Sequence, residues 1–72
     1  MSFRLVHHPG RAPLDRICIA QHTDPAHLKC DGYDRARSLG DADALWQPGN
    51  TPDILLELRC RTGDALVIER LA

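Results

Sequence analysis

The stretch from Asp53 to Leu71 constrains this chain more than any other. It holds two β-favouring segments around Gly63, and their apolar residues recur at every second position. In Asp53–Cys60, the residues Ile54, Leu56, Leu58 and Cys60 share one face. In Asp64–Leu71, Leu66 and Ile68 share one face, and Ala65, Val67 and Leu71 share the other. Side chains alternate along a strand, so a slip of one residue exchanges the faces completely. The even-numbered apolar sets meet only if the connecting loop has an odd length. A two-residue turn at Thr62-Gly63 or Gly63-Asp64 would set Leu58 against Val67 or Glu69. A three-residue loop, Arg61-Thr62-Gly63, instead pairs Leu58 with Leu66 and Leu56 with Ile68. It also puts Gly63 at the left-handed position that such loops require. The pattern predicts that hairpin, with Glu57, Arg59 and Glu69 on the reverse face.

Upstream, Ser2–His8 alternates as a strand with Phe3, Leu5 and His7 on one face, and Pro9-Gly10 and Pro13 punctuate it. Leu14–Ala20 is a second expected strand around Ile17, Cys18 and Ile19. Thr23-Asp24-Pro25 suits either a turn or a helix start. Ala26–Cys30 is taken as a short third strand, the alternative being one helical turn. Asp31 then fits an N-cap, with Asp34 at the capping-box position. Tyr33, Ala36, Leu39 and Ala42 recur at i+3 spacing, followed by Leu45 and Trp46, which predicts one amphipathic helix ended by Gln47-Pro48-Gly49. Gly40 lies inside that span, where the helix either tolerates it or breaks. The expected fold is therefore α+β: a small antiparallel sheet in ββ(β)αββ order, packed on one helix and closed by the hairpin.

Seventy-two residues are enough for one small domain, taken to span 1–72, near the lower limit for folding without a staple or a partner. The net charge of −1 argues against direct nucleic-acid binding, which a basic excess normally serves. Three aromatic residues, Phe3, Tyr33 and Trp46, are too scattered to form a base-stacking platform. No stretch resembles a signal peptide or a membrane span. Three cysteines, an odd count at irregular spacing, point to reduced thiols and a cytoplasmic setting.

Two side-chain groups could carry chemistry. Cys18, His22, His27 and Cys30 supply the ligand types and the number of a closed zinc site, and a metal would staple a small core. Against zinc, their spacing follows no recognised motif, and a cysteine between Ile17 and Ile19 is ordinary strand packing. The expectation is therefore no cofactor, with zinc as the alternative. Cys30 is also a nucleophile candidate, since a helix starting at Asp31 would lower its pKa. Asp34, Asp41 and Asp43 form the second group, an acidic helix face suited to docking on a basic surface.

No phosphate loop, carboxylate pair or nucleophile elbow is present, so the chain is read as a non-enzyme. The leading reading is a small protein-binding module. A zinc-stabilised module and a homodimeric regulatory or structural subunit are the alternatives. The strand–strand–helix–hairpin order resembles small phage-encoded inhibitors such as anti-CRISPR proteins. The resemblance is one of architecture and transfers no residue. It implies an inhibitor that binds a host nuclease or surveillance complex.

Overall fold

The computed structural model describes residues 1–12 and 14–71. Five strands and one helix follow in the order β1 (Ser2–His8), β2 (Ile17–His22), α1 (Pro25–Ser38), β3 (Gln47–Pro48), β4 (Ile54–Arg59) and β5 (Ala65–Leu71). The strands form one antiparallel sheet, ordered β2-β1-β5-β4-β3, with α1 against β2, β1 and β5 on one face. The fold is the expected α+β arrangement.

The closing hairpin has the expected register near its loop, with Leu56 opposite Ile68 and Leu58 opposite Leu66. A bulge at Leu55 shifts it further out, so Ile54 meets Glu69 and does not share the face of Leu56 and Leu58 as expected. Cys60 N–H donates to the Asp64 carbonyl and Gly63 N–H to the Cys60 carbonyl, leaving Arg61-Thr62-Gly63 as the loop. Gly63 takes a φ of +92°, a conformation costly for any residue with a Cβ. Leu58, Leu66 and Ile68 are fully buried with Leu5, Leu28 and Ala36, and Tyr33, Leu39, Trp46 and Leu56 pack around them.

The middle of the chain corrects the sequence reading. The helix starts at Pro25, where the Asp24 side chain accepts the Ala26 N–H at 2.9 Å and caps the first turn. The strand expected at Ala26–Cys30 is the first part of α1, and Asp31 lies inside the helix rather than at its cap. The buried stripe of α1 is Leu28, Gly32 and Ala36. Two of these three residues carry almost no side chain, so the helical period is faint in the sequence. At the other end, Gly40 N–H bonds to the Arg37 carbonyl and Asp41 N–H to the Ala36 carbonyl, both at 3.0 Å. With Gly40 at φ +86°, this is a Schellman ending, and the helix does not continue to Trp46. Arg35 and Arg37 in the last turn complement the helix dipole.

The chain after Gly40 returns across the helix. Trp46 lies on Gly32 and donates from Nε1 to the Lys29 carbonyl at 3.2 Å, with Tyr33 edge-on at a centroid distance of 6.3 Å. Gln47 and Pro48 then pair with Glu57 and Leu56, so the expected helix terminator serves as a short edge strand. The second strand begins later than expected, at Ile17, and Leu14 is 95 % exposed. The break expected at Pro13 lies outside the described residues.

The sheet face opposite α1 also carries buried residues, Val6 and Val67, which are direct partners. Arg16, just before β2, reaches Glu69 on β5 at 2.6 Å, and β1 lies between those strands, so the ion pair crosses over it. The methylenes of such an arginine cover apolar surface while its head stays wet. Arg16→Ala is expected to lower the unfolding free energy by no more than about 1 kcal/mol in a urea titration, because the pair itself is exposed.

Candidate functional site

His7 is the most deeply buried polar residue among those described, 4 % exposed and pointing to the helix side of β1. Its Nε2–H donates to Asp64 Oδ1 at 2.9 Å, and its Nδ1 accepts from Arg35 Nε and Nη2 at 3.4 and 3.3 Å. Asp64 also accepts from the Gly10 N–H at 3.0 Å and from the Thr62 hydroxyl. A histidine–aspartate pair resembles half of a catalytic triad, but both nitrogens of this ring are occupied. No lone pair remains for a general base. The network instead ties the β1 end, the helix and the hairpin loop together.

The bonds from Thr62, His7 and Gly10 hold the Asp64 carboxyl at about 2, below its ordinary 3.8. A carboxylate with a depressed folded pKa adds stability that is complete above the unfolded value and lost as pH falls through the folded one. The stability difference between wild type and Asp64→Asn is therefore expected to shrink by about 1–2 kcal/mol as pH drops from about 5 to about 2. Urea titrations at those pH values measure it, and an unchanged difference would mean the carboxylate is not held this way.

The three candidate docking acids occupy different settings. Asp34 is exposed on α1 and bonded to Arg37 at 3.0 Å. Asp41 is 5 % exposed, and its Oδ2 accepts the Arg61 N–H at 2.9 Å. Asp43 is exposed and meets Arg61 Nη2 at 3.2 Å. Asp41 and Asp43 thus fasten the post-helix segment to the hairpin loop. They do not share a helix face with Asp34, since α1 ends at Ser38.

The cysteine–histidine group is also divided. Cys18 pairs with Val6 and projects to the face away from the helix. His22 pairs with Phe3 on the helix side, where its ring stacks on His27 at a centroid distance of 4.2 Å and its Nδ1 accepts the Asp24 N–H. Cys30 is exposed within α1, beyond its first turn, and does not stand just ahead of a helix start as the sequence predicts. Among the described residues, no group of three or more histidine, cysteine, aspartate or glutamate side chains is placed to hold a metal. Cys60 is buried, and burial, with Asp41 and Asp64 nearby, pushes its thiol pKa up, which keeps it protonated and unreactive.

What remains is the sheet boundary, and its two edges differ. β3 is two residues long and ends in Pro48, which has no N–H to offer. Short edge strands and prolines are common protections against unwanted pairing. β2 is six residues, Ile-Cys-Ile-Ala-Gln-His, with no proline and no Lys, Arg, Asp or Glu. Large exposed apolar side chains sit at both its ends: Leu14 and Ile17 before or within its start, and Met1 beyond the β1 residue that pairs with His22. No local pattern in the sequence marks this edge, because strand order is not a local property. Only the pairing of β1 with β5 makes β2 peripheral.

The fold and this edge define a five-stranded, single-helix α+β module with one open and one blunted sheet boundary. Comparison with protein-family models, with curated proteins and with solved structures finds no match to the chain.

Proposed function

We propose that the chain is a non-enzymatic protein-binding module that takes its partner by strand addition at the β2 edge. The observation that carries this reading is the asymmetry of the sheet. One boundary is short and proline-terminated, while the other presents a full, uncharged strand. In strand addition the main-chain bonds provide affinity and alternate side chains provide selectivity. The full pairing of the His7 ring, with no free nitrogen for proton transfer, supports the non-enzymatic part. Inhibition of a larger enzyme or complex is one form such binding takes, in keeping with the resemblance to small phage inhibitors.

The test compares the tagged wild-type chain with the variant Cys18→Lys/Gln21→Lys as baits in a host lysate to which untagged chain is added. Both positions are exposed on the face away from α1, and lysines on an edge strand oppose pairing. The wild type is expected to retain at least one protein, its own chain included, that the variant loses while its circular dichroism and melting remain unchanged. Identical retained sets, empty ones included, would overturn the reading.

A further inference from the structure

The β2 edge has a symmetry that names its partner. β1 and β2 are paired with a bulge, since Leu5 meets Ala20 but the next β1 residue, Val6, meets Cys18. The extra residue is Ile19, and it packs towards the helix-side core together with Ala20. Ile17 pairs with His7 and His22 with Phe3, both on the helix side, whereas Cys18 and Gln21 pair with Val6 and Arg4 on the other side. Along β2 the faces therefore run helix side, reverse, helix side, helix side, reverse, helix side. The order is the same in both directions.

Two antiparallel strands related by a two-fold axis through the sheet must place helix-side residues against helix-side residues. An unbulged strand of even length, paired end to end with its own copy, fails this requirement, because each pair joins opposite faces. The bulge at Ile19 removes the conflict. Resting on the strand-addition reading above, we propose that the partner at β2 is a second copy of this chain. It pairs antiparallel about an axis between Ile19 and Ala20. Ile17 then lies opposite the second copy's His22, Cys18 opposite its Gln21, and Ile19 opposite its Ala20.

Charge fits this occupant. Two-fold pairing brings equivalent residues near the axis together, so a charged side chain there would face its own like, and β2 carries none. Closure fits as well. The far edge of each copy is the blunted β3, so the assembly ends at two chains instead of growing into a fibre. The result is one continuous sheet with both helices on the same side.

Light scattering coupled to gel filtration, on the full chain in reducing buffer from dilute to concentrated, tests the proposal. The wild type is expected at the mass of two chains. Cys18→Lys/Gln21→Lys places introduced lysines opposite one another in the proposed register and is expected at the mass of one. Cys18→Lys/Gln21→Glu places unlike charges opposite one another and is expected to restore the two-chain mass. A one-chain wild type at every concentration, a mass above two chains, or no difference between the two double variants would overturn the proposal. If the wild type is a single chain but still retains a lysate protein that the double-lysine variant loses, strand addition stands and the second copy falls. If the wild type is a single chain and the retained sets are identical, both fall.

Discussion

Replacing Gly32 by alanine is expected to destabilise the fold by roughly 1–3 kcal/mol, the cost of overpacking a filled site. In an exposed helix the same change would stabilise by about 1 kcal/mol, because glycine is the poorer helix former. The sign reverses here because a Cβ on Gly32 would lie 2.2 Å from Trp46 Cζ2. The indole must move, losing its bond to the Lys29 carbonyl and its edge contact with Tyr33. Urea titrations of a double-mutant cycle check the cause. With Trp46→Ala already in place, Gly32→Ala should become neutral or stabilising. A loss of the same size in both backgrounds would show that the strain comes from elsewhere than Trp46.

Asp64→Ala is expected to have the larger effect, roughly 3 kcal/mol or more, since it strips the acceptor from a buried ring N–H, a backbone N–H and a hydroxyl together. Small domains are stable by only on the order of 5 kcal/mol, so the variant should be partly unfolded in mild denaturant. Asp64→Asn keeps an oxygen for His7 and Gly10 and should lose clearly less. Equal losses from the two variants, or a loss from Asp64→Ala below about 1 kcal/mol, would show that the network adds little to stability.

These two residues also mark what was legible in the chain. Hairpin register from Leu56 to Ile68 is legible because parity demands an odd loop and the position of Gly63 favours three residues, whereas no local pattern marks the bulge at Leu55 that turns Ile54 to the reverse face. The face assignment of β1 follows from the same rule. The true frame of the helix is faint in the sequence because its buried stripe, Leu28, Gly32 and Ala36, is mostly small. The larger Tyr33, Leu39 and Trp46 suggested a later frame, although Leu39 and Trp46 belong to the C-cap and the returning chain. Thr23-Asp24-Pro25 suits a turn as well as a helix start, and Asp31 carries the fuller capping pattern. The candidate site was less legible still. The pairing of His7 with Asp64 spans nearly the whole chain, and so does the closure of β1 on β5 that leaves β2 at the edge. No local pattern reports either contact. The buried setting of Asp41 is hidden for the same reason, since its partner Arg61 lies twenty residues on, in the hairpin loop.

The open edge is the central claim, and amide hydrogen exchange along Ile17–His22 tests it most directly. In an unpaired edge strand, only amides directed at β1 are protected, and those directed outward exchange at the rate of solvent-exposed chain. At concentrations where the two-chain mass forms, the account predicts protection of both sets in the wild type. It predicts loss of protection from the outward set alone in Cys18→Lys/Gln21→Lys. Outward amides that exchange freely in both proteins at every concentration, with or without host lysate, would contradict it.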